Sequence, residues 1–240
     1  MKSFGISNKG LVRKTNEDKF YINEDSSLFM VADGMGGHVA GELASDLAVR
    51  EILKYMQDIT EEESSWINEV TLKEAVQAAN QSIRQEISAN PDLQGMGTTA
   101  VLVYIEQKML FWAHVGDSRL YTYYRGNLKQ ITNDHSLVSK LVQDGKITEE
   151  QASSHPSRNV ITRSVGTVDE LEVDTGRINL EPETMILLCS DGLTGMVSDE
   201  DIRLTMIDHE NNPQEVAEAL MKKVYQAGAT DNVTVLVVAV

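Results

Sequence analysis

Three strand-forming runs, Thr98–Ile105, Met109–Val115 and Arg119–Tyr124, follow one another with only short breaks between them. Parallel neighbours in a sheet need a crossover of a dozen or more residues, usually a helix, and there is no room for one here. The runs are therefore expected to pair antiparallel, as a meander. Five further runs rich in Val, Ile, Leu, Tyr or Phe are bounded by Gly, Asp or Asn: Phe20–Asn23, Leu28–Ala32, Leu171–Ile178, Met185–Cys189 and Val233–Val240.

Helix signals interrupt these runs in an order that is not strict βαβα alternation. Gly37-His38 opens a stretch in which Leu43, Leu47, Ile52 and Met56 recur at helical spacing. Thr71 with Glu74 forms a capping-box pattern ahead of Leu72, Val76, Ala79, Ile83 and Ile87. Ser198 with Asp201 starts a shorter helix, and Thr148 with Gln151 a very short one. Asn212-Pro213 with Glu215 predicts a helix burying Val216, Leu220 and Val224 and ending before Gly228. Strands, two helices, a block of strands, small helices, strands, a helix and a last strand suit antiparallel sheets with helices packed outside them, an α+β class. No repeat or linker divides the chain, so 1–240 is read as one domain with an irregular stretch at about 132–166.

The charge balance narrows the partners. Lys plus Arg is 21 and Asp plus Glu is 37, a formal net charge of −16. Nucleic-acid binders usually carry the opposite sign, and an anionic membrane surface would repel this chain. The single cysteine, Cys189, rules out an internal disulfide and a cysteine-based zinc site, and sits in an apolar run like a core residue. No apolar leader follows Met1, and Val233–Val240 is far too short to span a bilayer, so the expectation is a cytoplasmic protein.

Four aspartates stand at the edges of apolar strands: Asp33, Asp117, Asp191 and Asp231. Asp-Gly and Asp-Asn pairs are also turn formers, so any one of them is explained as well by a turn. In antiparallel sheets, however, the end of one strand lies beside the start of the next, and all four carboxylates can gather at one rim. Clustered carboxylates raise one another's pKa unless a cation neutralises them. An all-oxygen ligand set favours Mg²⁺ or Mn²⁺ over zinc. Gly34, directly after Asp33, would let a backbone carbonyl approach a second ion.

Six segments in order bear a resemblance: Arg13-Lys14-Thr15-Asn16-Glu17-Asp18, Val31-Ala32-Asp33-Gly34-Met35-Gly36-Gly37-His38, Gly97-Thr98-Thr99-Ala100, His114-Val115-Gly116-Asp117-Ser118-Arg119, Ser190-Asp191-Gly192-Leu193 and Asp231-Asn232-Val233-Thr234. Together they resemble the motifs of the metal-dependent serine/threonine protein phosphatases of type 2C, in their compact bacterial form. The resemblance implies a four-layer α-β-β-α sandwich with a small flap subdomain at 132–166. It implies two Mn²⁺ or Mg²⁺ ions, and a third, weaker one. Asp33 would bridge the pair, Gly34 would give its carbonyl to one ion, and Asp191 and Asp231 would bind the other. Glu17 and Asp18 would hold metal-bound waters, Asp117 with Asp191 would hold the third ion, and Arg13 would grip the substrate phosphate. Asn232 would orient a neighbouring ligand.

The implied activity is hydrolysis of phosphoserine and phosphothreonine with a metal-bridging water as nucleophile. The implied partners are phosphorylated proteins and a cognate Ser/Thr kinase, with the phosphatase a monomer. Animal relatives carry a His where this chain has Met35, so the proton for the leaving group falls either to His38 or to metal-bound water. For Arg13 alone a solvated surface residue is the alternative, as it is for Ser136, Lys140, Arg158 and Arg163 in the irregular stretch. Thr98 and Thr99 read as strand residues beneath the site, and Ser118 and Arg119 as a turn that positions Asp117. Two other function classes stay open: a phosphatase dedicated to one regulator in a partner-switching pathway, and a catalytically weak binding module on the same fold. The retained acids Asp33, Asp191 and Asp231 argue against the module. A cysteine-based mechanism is excluded, because Gly195 stands where Cys189 would need an Arg. An aspartyl-phosphate mechanism is excluded because Val31 and Cys189 occupy the positions two before Asp33 and Asp191.

Overall fold

The computed structural model describes residues 1–25, 27–37, 39–60 and 66–240, the side chains of residues 39 and 153 excepted. Two antiparallel sheets stack face to face. The first has the order β1(Lys2–Asn8), β11(Val233–Ala239), β10(Met185–Cys189), β7(Arg119–Tyr124), β8(Asn127–Gln130). The second runs β2(Asp18–Asn23), β3(Leu28–Met35), β5(Ala100–Glu106), β6(Met109–Val115), β9(Asp174–Asn179), with the short β4(Gly97–Thr98) paired to β3.

Three apolar layers hold the stack together, and strand alternation explains them. Along β3, Phe29 and Val31 face the other sheet, while Leu28 and Met30 face helices α1(Val39–Thr60) and α2(Glu69–Ala89). Along β10, Ile186 and Leu188 face inward, while Met185, Leu187 and Cys189 pack with α6(Asp199–Asp208) and α7(Pro213–Gln226). Both faces of the central strands are covered, so they read as unbroken apolar runs and not as alternating ones. Cys189 is buried and free, a core residue as expected. The result is the expected α-β-β-α sandwich.

The meander is the expectation that fails. β5 and β6 pair antiparallel, Ala100 opposite Val115, but β6 takes β9 as its other neighbour. β7 instead crosses to the other sheet, between β10 and β8. The crossing is made at Gly116, whose φ of +110° is a backbone conformation that L side chains rarely adopt. The second helix also starts earlier than expected. Asn68, not Thr71, is its N-cap: Asn68 Oδ1 accepts from Val70 N at 2.8 Å and Thr71 N at 3.3 Å, and Thr71 Oγ1 accepts from Asn68 N at 3.3 Å. Thr71 does belong to a capping box, but as its third helical residue.

The caps at Ser198 and Asn212, and the capping box of Thr148 with Gln151 that opens α4(Glu149–Ser153), are as expected. β1, β8, α3(Leu137–Gln143) and α5(Asp191–Thr194) carry no strong pattern and were not expected. The strand expected at Leu171–Ile178 is shorter, with Leu171 and Val173 serving as core side chains outside the ladder. Among the described residues no helix is long and apolar enough to cross a membrane.

Candidate active site

The register sets the site. Asp18 at the start of β2 lies directly opposite Asp33 near the end of β3. Like charges facing across an antiparallel pair are destabilising, so this pairing asks for a neutralising partner. At the same rim Asp117 lies in the β6–β7 turn, Asp191 opens α5 after β10, and Asp231 precedes β11. Each of the four strand-end aspartates singled out in the sequence is therefore at one end of the two sheets, and Asp18 joins them.

Hydroxyl and amide groups hold these acids in place. Asp18 Oδ2 accepts from Ser190 Oγ at 2.8 Å and Thr234 Oγ1 at 2.7 Å. Thr99 Oγ1 accepts from Asp33 N at 2.9 Å and touches Ser118 Oγ at 2.7 Å, while Thr98 Oγ1 donates to the Asp33 carbonyl at 2.9 Å. Thr98 and Thr99 are thus braces beneath Asp33. Asn232 Oδ1 accepts from Glu17 N at 2.8 Å, and its Nδ2 donates to the Thr15 carbonyl at 2.8 Å, which ties the Arg13–Glu17 loop to the Asp231 turn. Glu17 is buried and its carbonyl accepts from Ser45 Oγ at 2.6 Å. Ser190, Thr234 and Ser45 were not singled out in the sequence. The signal available for the first two was their place in the Ser190–Leu193 and Asp231–Thr234 segments, but small hydroxyl residues near strands are too common to stand out.

The electrostatics are those of crowded acids. Burial first, then repulsion by Asp191 and Asp231, pushes Asp18 up to about 7 against the hydroxyls that pull it down. Burial, with repulsion by Asp191 and Asp134, also takes Asp117 up to about 7. Asp191 rises to about 6 through burial and Asp231, with a hydrogen bond from Asp33 opposing the rise. Asp33 lies well above the carboxylate range, through burial and then through Asp18, Asp191, Asp117 and Asp231. Arg13 is half exposed, and its Nη2 pairs with Asp231 Oδ2 at 2.7 Å. Burial works against its charge, but Asp231, Glu17 and Asp191 together raise its pKa.

Whether these residues suit a divalent ion can be judged from their oxygens. Among the described residues no group of three or more acidic, histidine or cysteine side chains is already arranged to hold a metal ion. Yet among the same residues Asp18 Oδ1 and Asp117 Oδ1 are buried without a hydrogen-bond partner, a costly state for a carboxylate. An open all-oxygen rim with orphaned, mutually repelling carboxylates fits a hard ion that keeps much of its water, as Mg²⁺ and Mn²⁺ do.

Gly34 has no room for a side chain. A Cβ there would stand 2.6 Å from the Gly41 carbonyl carbon and 2.8 Å from the Glu17 carbonyl oxygen. Gly34→Ala is therefore expected to push the end of β3 away from α1, lowering thermal stability and abolishing any activity that depends on Asp33. A melting curve with a parallel activity assay checks this; a variant equal to the parent in both contradicts the tight packing. His38, the candidate proton donor, lies outside the described residues. A cavity of about 570 Å³ opens beside the rim and reaches into 132–166; its lining includes Asp117, Asp191, Arg119, Asp134, Glu149 and Arg158. Within that stretch Ser136 is buried and caps α3, and Arg163 pairs with Asp174 and Glu172, so neither is the solvated side chain considered above. Arg158 is exposed. Arg119 is committed to Asp134 through Nη2 at 2.7 Å and Nε at 2.9 Å, which braces the turn bearing Asp117.

Residues 12–231 match the family model described as Protein phosphatase 2C. The chain belongs to that family. It is similar to the serine/threonine phosphatase stp of Listeria monocytogenes, 36% identical over 235 residues, covering 97% of this chain and 93% of stp. Among solved structures it resembles the Mycobacterium tuberculosis serine/threonine phosphatase PstP/Ppp, with a TM-score of 0.89, 38% identity and coverage of 98% and 97% of the two chains. A second structure, the catalytic domain of PstP in complex with two manganese ions, matches with a TM-score of 0.86 and 36% identity, covering 98% of this chain and 96% of that one. The family assignment that six weak motifs suggested in the sequence holds, and with it the two-sheet architecture.

Proposed function

We propose that this chain is a metal-dependent protein phosphatase that hydrolyses phosphoserine and phosphothreonine in proteins. The observation that carries the reading is the convergence of Asp18, Asp33, Asp117, Asp191 and Asp231 at one rim of a protein phosphatase 2C sandwich, where Asp117 and Asp191 line the adjoining cavity and Asp18 and Asp117 each keep a buried oxygen without a hydrogen bond among the described residues. The residues fit a divalent pair, and PstP, a relative in sequence and fold, is described with two manganese ions.

Asp33, the Gly34 carbonyl, Asp191 and Asp231 would hold the two Mn²⁺ or Mg²⁺ ions, with Glu17 and Asp18 ordering the water around them and Asp117 with Asp191 serving a third. Bound there, the ions supply Lewis-acid polarisation of the phosphoryl oxygens and an activated water as nucleophile. The chain's own residues do the rest. Ser190 and Thr234 keep Asp18 pointed into the rim. Thr99 sets the backbone that presents Asp33. Arg13, anchored at the lip beside Asp231, is the cation placed to bind phosphate oxygens and offset their developing charge. His38 remains the candidate to protonate the leaving oxygen. The stretch 132–166 acts as a flap over the cavity, and 1–240 is one catalytic domain. The substrates are phosphoproteins, and the natural opponent is a Ser/Thr kinase. The strongly acidic chain, without a membrane-length helix among its described residues, suits a monomer working in the cytoplasm.

Turnover of a phosphothreonine peptide is expected to vanish in EDTA and return with excess Mn²⁺ or Mg²⁺, because an open oxygen site exchanges its ions with a chelator. Full turnover after exhaustive chelation would contradict the reading.

A further inference from the structure

His135 stands at the root of the flap, outside the acids, and only 8% of it is exposed. Its backbone N–H donates to the Gly116 carbonyl at 2.7 Å, and its ring Nδ1 accepts from the Gly116 N–H at 3.1 Å. One residue therefore holds both backbone polar groups of the glycine that precedes Asp117. Because Nδ1 accepts, the neutral ring carries its proton on Nε2. That nitrogen lies 3.3 Å from Asp174 Oδ2 on β9. Arg163 Nη1 is 3.2 Å from the same nitrogen and is itself committed to Asp174 Oδ1 at 2.8 Å. The opposite side of the ring is closed by His114, at 4.7 Å between centroids. The other arm of the flap root meets here too, since Thr162 N–H donates to the His135 carbonyl at 2.7 Å.

Gly116 cannot retreat from this grip. A Cβ at that position would already stand 2.6 Å from Thr99 Cγ2, so the backbone is pressed against the residue whose hydroxyl braces Asp33. Among the described residues Asp117 Oδ1 has no hydrogen-bond partner of its own. The direction of the Asp117 carboxylate is thus set largely by the backbone that His135 holds.

We propose that His135 is a positioning residue for catalysis: by clamping Gly116 on both polar groups it aims Asp117 into the site, and it does so from the root of the flap. The proposal rests on the phosphatase reading above. Groups that orient a metal-binding residue from outside typically contribute about 10–100-fold in metal affinity or activity.

The test compares wild type with His135→Leu, which fills the space without an acceptor, and His135→Asn, whose Oδ1 can take the place of Nδ1. Melting curves, Mn²⁺ calorimetry and phosphothreonine-peptide kinetics are run on each. For His135→Leu the expectation is a kcat lowered about 10–100-fold with KM little changed, and the weakest class of Mn²⁺ site weakened by a similar factor. His135→Asn should recover most of both. A folded His135→Leu protein with wild-type kcat and wild-type Mn²⁺ binding overturns the proposal, as does a His135→Asn protein as impaired as His135→Leu. If His135→Leu does not fold, Asp174→Ala replaces it. That change frees Nε2 and should lower kcat and weak-site Mn²⁺ affinity in the same direction; no change in either overturns the proposal. A wild-type protein that binds Mn²⁺ but leaves the peptide intact would sink the phosphatase reading instead, while the Mn²⁺ titrations would still decide the role of His135.

Discussion

Asp33→Ala is expected to lower phosphothreonine-peptide turnover by at least about 10³-fold while the protein stays folded. Losing a single preorganised electrostatic contact in an active site costs roughly 10²–10³-fold in kcat, and the proposed role of Asp33 is to hold both ions at once. Its side chain faces other carboxylates and not the core: burial and repulsion by Asp18, Asp191, Asp117 and Asp231 all disfavour its charge. Removing it relieves that repulsion, so the melting temperature in EDTA at pH 7.5 should hold or rise. Loss of turnover together with collapse of the fold would leave catalysis unproved, and Asp231→Ala separates the cases because Asp231 lies in a turn at the lip, where its salt bridge among the described residues is to Arg13. A folded Asp33→Ala or Asp231→Ala protein within tenfold of wild type would count against the site.

The stabilisation conferred by Mn²⁺ is expected to grow steeply between pH 5 and pH 7.5. In the metal-free protein Asp18 and Asp117 titrate at about 7 and Asp191 at about 6, against an ordinary value of 3.8. Between pH 4 and pH 7 the folded form then binds more protons than the unfolded chain, so stability is lost as pH rises through that window. The loss is on the order of several kcal/mol, since one pKa unit corresponds to about 1.4 kcal/mol and these acids are coupled. A divalent ion replaces the protons and removes the repulsion, but at pH 5 it must compete with them. Buried His114, pushed down to about 3 by desolvation and then by His135, contributes the opposite slope below pH 6.5. That contribution is common to the loaded and metal-free forms and cancels in their difference. Melting temperatures with Mn²⁺ and with EDTA, taken across this range, give the difference directly. A constant difference, or a larger one at pH 5, would mean that the acids do not share a cation.

Much of this protein was legible in its residues. Strand edges were readable because apolar runs stop at Asp, Gly and Asn, residues whose side chains or backbone freedom favour turns. Antiparallel pairing made it possible for Asp33, Asp117, Asp191 and Asp231 to gather at one rim, and helix starts at Ser198 and Asn212 followed from caps that act within a few residues. Asn68 shows the limit even there, since Asn68 and Thr71, three positions apart, could each accept the first free amides and only the folded backbone chose between them.

The partition of strands between the sheets was not legible. Backbone ladders are built from N–H and C=O groups that every strand possesses, and with both faces of the central strands buried there is no polar face to orient them. β7 looks like the natural neighbour of β6, but β6 is already occupied by β5 and β9, and the turn at Gly116 carries β7 away. Asp18 facing Asp33, Ser190 and Thr234 closing on Asp18, and His135 closing on Gly116 likewise depend on register and on the path of the flap. A sequence states which groups a chain carries and what each can do with its near neighbours. Which distant groups come to share a buried rim is decided by how whole sheets pack, where many weak apolar contacts outweigh any local preference.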